Sequence, residues 1–124
     1  DYAHHPEELR ACINSVRQMY PTKKLTVIFQ PHLFSRTKDF AQEFSEVLSL
    51  ADQLIVMDIY PARELPIAGV DANLILNQVS IANKQLASKE NLMGKLANMD
   101  IELLLTVGAG DIDTMVKPIQ ELVG

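Results

Sequence analysis

Residues 24–30 read KLTVIFQ, a run that is apolar or β-branched at almost every position and stops at Pro31. A strand with one face in water alternates between apolar and polar residues, so a nearly continuous apolar run predicts a strand that is covered on both faces. Two later runs have the same character, LIVMDIY at 54–60 and IELLLTV at 101–107, and a fourth, short strand is predicted at 84–87.

Apolar residues recur at helical spacing between these runs and predict helices at about 6–20, 38–51, 73–82 and 88–99, with a last helix starting at Asp111. His5 suits the position of a helix cap and Pro6 the first helical position, whereas Pro118 predicts a kink or an early break in the last helix. Strands that alternate with helices predict an α/β fold, here a three-layer, open, mostly parallel sheet with helices on both faces.

The composition is that of one globular domain spanning residues 1–124, with 48% apolar and 22% charged residues. The net charge of −5 argues against a nucleic-acid-binding surface, and no apolar run reaches the roughly 18–20 residues that span a bilayer. The single Cys12 lies on an apolar stripe, which favours a small core residue over a nucleophile, and a chain with one cysteine fits a reducing compartment. A chain that begins at Asp1 without methionine is expected to be one domain of a larger protein.

Polar motifs follow each of the three long strands: QPHLFSR at 30–36, DIYPARE at 58–64 and GAGD at 108–111. Ligands of open parallel sheets bind beyond the carboxyl ends of the strands, so these motifs are expected to meet at one edge of the sheet. DYAHHP at 1–6 joins them if a strand precedes Asp1. This convergence predicts a binding face.

Taken singly, each motif has a simpler interpretation. His4, His5 and His32 could bind zinc, but no cysteine partner or HExxH spacing accompanies them, so no metal site is predicted. The pair Gly108 and Gly110 resembles the start of a dinucleotide fingerprint, but Asp113 stands at the third glycine position and a tight turn is equally compatible.

The arginines also have two interpretations. Arg36 could bind a carboxylate or phosphate, or be a solvated residue before a helix, while Arg63 and Glu64 could form a surface ion pair. No GxxxxGK[ST] motif occurs in the chain.

Asp58 supports a rival function, since LIVMDIYP looks like the phosphoacceptor strand of a receiver-like regulatory domain. That site also needs an acidic pair after the first strand and a lysine after the last, and this sequence has Gln30-Pro31-His32 and Gly108-Ala109-Gly110 there. A second rival is an α/β interaction domain without catalytic function.

Four motifs in order, DYAHHPEE, VIFQPHLFSRTKDF, DIYPARELPIAGVD and VGAGDI, resemble the C-terminal domain of the Mur ligases over essentially the whole chain. Within that family the combination is most similar to members that join L-alanine to UDP-N-acetylmuramate. The resemblance implies a larger cytoplasmic ligase of peptidoglycan synthesis, in which two missing domains hold the UDP-sugar, ATP and Mg²⁺. It implies an acyl-phosphate reaction and no activity of the isolated domain, and it assigns no catalytic residue to this chain.

The resemblance also implies roles for individual residues. Asp1 would accept hydrogen bonds from the ATP ribose and Tyr2 would lie beside the nucleotide, while His4 would lie near the reacting end of the substrate. The amino-acid substrate would be bound by a group of residues after the first and last strands: His32, Arg36, Gly108, Gly110 and Asp111.

Three further residues are expected at the rim of this site: Tyr60, Arg63 and Glu64. The sequence departs from the family at Leu33, where many members have an arginine, so recognition of the carboxylate is expected to depend more heavily on Arg36 or on a group outside this chain.

Overall fold

The computed structural model describes residues 5–108 and 110–123, and the side chains of all of these except Asp113, Leu122 and Val123. Five helices and four strands alternate along the described chain: α1 Pro6–Met19, β1 Leu25–Gln30, α2 Phe34–Leu48, β2 Gln53–Met57, α3 Ala72–Leu76, β3 Lys84–Ala87, α4 Leu92–Ala97, β4 Leu103–Gly108 and α5 Asp111–Val123.

The four strands form one sheet in the order β3-β2-β1-β4, and all three neighbouring pairs are parallel. β1 therefore lies inside the sheet, and every one of its six residues is buried. Its last residue, Gln30, lies beside Gly108 of β4. The parallel sheet predicted from the apolar runs is confirmed.

The side chains of β1 alternate between two apolar clusters on the two faces of the sheet. Leu25, Val27 and Phe29 pack with α1, α2 and α3, whereas Ile28 packs with α4 and α5. The sheet with helices on both faces gives the predicted three layers. The continuous apolar character of KLTVIFQ arises because each face of this strand has its own helical cover.

The second helix starts earlier than predicted, at Phe34 instead of about residue 38, so most of the predicted loop HLFSRT is its first turn. Leu33 is the residue before it and has φ +73°, and its side chain makes no capping hydrogen bond. The helix also departs from helical geometry at Phe40, with φ −119° and ψ 16°. The apolar stripe begins only at this kink, at Phe40, so the helix start predicted from the stripe is later than the observed one.

Other boundaries differ from the predictions as well. β2 ends at Met57, so Asp58 lies beyond it, and α3 and α4 are shorter than predicted. α5 continues past Pro118 to Val123, so the predicted early break does not occur. Pro118 and Thr114, whose carbonyl would otherwise bond to residue 118, are both exposed, and water can replace the missing hydrogen bond there.

Among the described residues, no helix has the length and apolar character needed to cross a membrane.

Candidate functional site

Segments that follow β1 and β2 are joined beyond the sheet. Residues 32 and 60 form an isolated parallel bridge, in which the Tyr60 amide donates to the Pro31 carbonyl at 2.8 Å. The Leu33 amide donates to the Tyr60 carbonyl at 2.9 Å. These bonds extend the pairing of β1 and β2 past the ends of both strands. They bring the first two polar motifs to one rim, as predicted.

His32 and Arg36 lie one helical turn apart at the start of α2. Arg36 Nη1 is 3.5 Å from His32 Nδ1, and both side chains are half-buried. The His32 ring stacks on the Tyr60 ring at 13° with 6.0 Å between centroids. The structure therefore places a cation, an imidazole and a phenol together. A guanidinium held in this way can bind a carboxylate with two parallel hydrogen bonds.

Glu64 caps the first turn of α2 from a distant loop. Its carboxylate accepts hydrogen bonds from the Ser35 amide at 3.1 Å and from the Ser35 hydroxyl. The Ser35 hydroxyl, followed by backbone amides of the same turn, lowers the pKa of the Glu64 carboxyl although partial burial opposes this. Within the described structure Glu64 thus pairs with Ser35 and not with the exposed Arg63, so the predicted Arg63–Glu64 ion pair is wrong.

The glycines after β4 bring the last motif against the first two. Gly108 has φ +122°, and a Cβ there would lie 2.5 Å from the Gln30 carbonyl oxygen. Gly110 has φ +101°, and a Cβ there would overlap the Tyr60 ring. Both positions combine a left-handed backbone with a close neighbour, so only glycine fits. Gly108 and Gly110 therefore form a close backbone wall against Gln30 and Tyr60.

Gln30 connects this wall to the strands, a role that its sequence motif does not indicate. Its side chain is 1% exposed and bonds to Asp111, Ile112 and Asp58. A polar residue at the end of an otherwise apolar buried run is the signal that could have pointed to it, because buried amides need partners.

The structure thus brings together a set of the predicted residues at the carboxyl edge of the sheet: His32, Arg36, Tyr60, Glu64, Gly108, Gly110 and Asp111. Asp1, Tyr2 and His4 lie outside the described residues. Arg63 and Asp58 are exposed. Cys12 packs against the core, and burial raises the pKa of its thiol, which opposes a role as nucleophile.

His5 precedes α1 and makes no side-chain capping bond. Its ring instead packs on Phe40, with centroids 4.7 Å apart. Among the side chains that the structure describes, no three His, Cys, Asp or Glu residues are grouped so that they could hold a metal ion. We assign no Mg²⁺ ligand to them.

A cleft of about 430 Å³ lies at the opposite, amino edge of the sheet, lined by Arg17, Pro21, Thr22, Lys23, Lys24, Asp52, Gln53, Asn83 and Glu102. Its charged groups bond to one another and to the backbone: Asp52 accepts from Arg17 at 3.0 Å and from the Leu25 amide at 2.7 Å. The carboxyl edge instead gathers the residues of three motifs. It is the better candidate for a functional site.

Comparison with known proteins agrees with this location. Residues 1–111 match the family described as Mur ligase, glutamate ligase domain. The chain is 51% identical over 122 residues to a UDP-N-acetylmuramate–L-alanine ligase of Cytophaga hutchinsonii and 52% identical over 122 residues to one of Parabacteroides distasonis. In both cases the match covers 98% of this chain and 26% of the relative, so the chain spans about a quarter of their length.

Among solved structures, the chain resembles a UDP-N-acetylmuramate–alanine ligase from Thermotoga maritima with a TM-score of 0.67 at 23% identity. That likeness covers 98% of this chain and 26% of the solved one, and it supports the fold.

Proposed function

Because the chain belongs to the Mur ligase family, we propose that it is the C-terminal domain of an ATP-dependent ligase that joins L-alanine to UDP-N-acetylmuramate in peptidoglycan synthesis. The observation that carries this proposal is its 51% identity over 122 residues to a relative with that name. The rest of such an enzyme, about three quarters of its length, would bind the UDP-sugar, ATP and Mg²⁺ in the cytoplasm.

In the proposed reaction, ATP phosphorylates the muramate carboxylate, and the amine of L-alanine displaces phosphate from the acyl phosphate to form the amide. The described residues would contribute binding and orientation, which supply much of the rate enhancement when two reactants must meet. Arg36 would bind the alanine carboxylate, with His32 and Tyr60 beside it. The close wall formed by Gly108 and Gly110 would keep water away from the acyl phosphate.

The nucleotide would be contacted by Asp1 and Tyr2, and the reacting end of the substrate by His4; these assignments derive from the family motif DYAH. The isolated domain would have no activity, because binding of ATP and of the UDP-sugar would reside elsewhere.

The test is an ADP-release assay on the full-length protein with ATP, UDP-N-acetylmuramate and one amino acid at a time. We expect ADP release to depend on both UDP-N-acetylmuramate and L-alanine. The rates of ADP release with glycine and with serine, compared with the rate with L-alanine, measure how selective the site is. ADP release that is independent of added amino acid would contradict the proposal.

Arg36 provides the sharper test of the site. Arg36→Ala in the full-length ligase removes a charge-assisted hydrogen bond worth about 2–5 kcal/mol, so the KM for L-alanine should rise at least about 30-fold. Lys38→Ala is the matched control, because Lys38 is an exposed cation on the same helix. If the KM for L-alanine is the same in Arg36→Ala and wild type, Arg36 does not bind the carboxylate.

A further inference from the structure

We infer that Gln30 is a positioning residue, which holds the start of α5 and the carboxylate of Asp111 in place at the alanine site. This inference rests on the proposed function for its kinetic consequence. Its structural part depends only on the contacts of one buried amide.

Both polar atoms of the Gln30 side-chain amide are hydrogen-bonded. Its Nε2 donates to the Asp58 carbonyl at 3.1 Å and to Asp111 Oδ2 at 3.2 Å, and its Oε1 accepts from the Ile112 amide at 2.8 Å. The side chain is 1% exposed. Because water is excluded, solvent cannot replace a lost partner, so each of these bonds strongly constrains the local geometry.

The three partners belong to two of the segments that build the rim. Asp58 is the first residue after β2, on the chain that leads to Tyr60. Asp111 and Ile112 open α5, directly after the glycine wall. Gln30 itself pairs with Gly108 in the sheet. One amide on β1 therefore fixes how the segment after β2 and the segment after β4 lie relative to each other.

A purely structural buried glutamine occurs in the same sheet and serves as a control. Gln53 is 7% exposed at the amino end of β2. Its Nε2 donates to Thr26 Oγ1 at 2.8 Å and to the Asp100 carbonyl at 3.0 Å, and its Oε1 accepts from Asn83 at 2.9 Å. It makes the same number of side-chain hydrogen bonds as Gln30, at the edge opposite the candidate site.

The experiment compares Gln30→Met with Gln53→Met in the full-length ligase. Methionine keeps the length of the side chain and removes all of its hydrogen bonds. We expect both variants to lose thermal stability. Only Gln30→Met should raise the KM for L-alanine, by about tenfold, with the KM for UDP-N-acetylmuramate unchanged.

Hydrogen exchange gives a second measurement that does not depend on activity. Amides of 110–116 should exchange faster in Gln30→Met than in wild type, and remain as in wild type in Gln53→Met. If Gln30→Met does not fold, Gln30→Asn replaces it, with Gln53→Asn as its control, since asparagine keeps a polar amide but is one methylene too short to reach all three partners of Gln30.

The outcomes separate the two proposals. Equal KM values for L-alanine in the two methionine variants, or equal exchange of 110–116, would overturn the role of Gln30. If the wild-type enzyme does not respond to L-alanine, the proposed function fails, and the exchange comparison still decides whether Gln30 holds the start of α5.

Discussion

Gly110, in the segment after β4, contacts the ring of Tyr60, in the segment after β2. A methyl group at residue 110 would meet the ring directly, and the backbone there has φ +101°. The same ring stacks on His32, at 13° and 6.0 Å between centroids. A side chain at residue 110 is therefore expected to move the aromatic surface that supports His32.

Gly110→Ala should lower the stability of the protein and raise the KM for L-alanine. The left-handed backbone alone costs an alanine about 1–2 kcal/mol, and the overlap with Tyr60 adds about 1–3 kcal/mol. Gly69→Ala is the control, because Gly69 has φ +79° and nothing within 4 Å of a Cβ.

Chemical denaturation and ADP-release kinetics on the two variants check this. Gly69→Ala should lose only the stability that the left-handed backbone costs an alanine, and its KM for L-alanine should equal that of the wild type. Equal losses of unfolding free energy in both variants would mean that the Tyr60 ring moves aside without lowering the stability.

Individual residues of the site can be predicted from the sequence only where they belong to a recognisable motif. His32, Arg36 and the two glycines follow strand ends in recognisable motifs, and the structure brings them together. The stacking on Tyr60 depends on a bridge between segments 28 residues apart, which no local pattern encodes. The role of Gln30 does not follow from the sequence, because periodicity does not show the partners of a buried amide.

At the level of the elements, α2 begins through a contact with another segment. Leu33 precedes it with a left-handed backbone and makes no capping bond, while Glu64 binds the Ser35 amide and hydroxyl from the loop after β2. Sequence rules place helix starts at Ser, Thr, Asp or Asn just before the helix. The group that caps α2 is Glu64, 29 residues further along, so no local capping residue marks the true start of this helix at Phe34.

Glu64→Ala should loosen the first turn of α2, which carries Arg36. Amides of residues 35–37 are expected to exchange faster with solvent, and the KM for L-alanine should rise. Glu64→Gln is the matched variant, since its side-chain oxygen still accepts from Ser35, and its effect should be smaller. Hydrogen exchange read by mass spectrometry on the full-length protein checks both. Unchanged exchange in Glu64→Ala would show that the turn holds without this cap.

For the whole molecule, the alternation of strands and helices was enough to predict the layers. Each apolar run became a parallel strand, and the four-motif resemblance to the Mur ligases is confirmed by the family match over residues 1–111. Helix lengths were predicted less well. α3 and α4, with five and six residues, are set by packing against the sheet and not by their own periodicity.

Asp52 connects three elements at the amino edge of the sheet. It accepts hydrogen bonds from the Leu25 amide, at the start of β1, and from Arg17 of α1. The Leu25 amide is the main cause that lowers the pKa of this carboxyl, burial opposes it, and Arg17 and Lys24 add to the lowering. A carboxyl whose pKa is lower in the folded state stabilises the protein above its unfolded pKa, and this stabilisation is lost as the pH falls through the folded pKa.

Asp52→Asn should therefore lower the free energy of unfolding by about 1 kcal/mol at neutral pH, a small effect because the side chain is 44% exposed. The difference from wild type should be constant down to about pH 5 and shrink below about pH 4. Denaturation curves at several pH values check this. Asp39→Asn, at an exposed position on α2, is the control. A difference that does not change with pH would show that the ionised carboxylate is not what stabilises this edge.

The pairing of β1 with β4 also has a consequence for how the molecule forms. The first strand lies beside the last, with Leu25 opposite Leu103, so the contacts that complete the interior of the sheet join the two halves of the chain. Contacts between distant parts of a chain form slowly, because a long loop must close before they are gained. During synthesis, one edge of β1 therefore stays unpaired with β4 until residues 103–108 have left the ribosome, and the rim around Gln30 and Gly108 can form only after that.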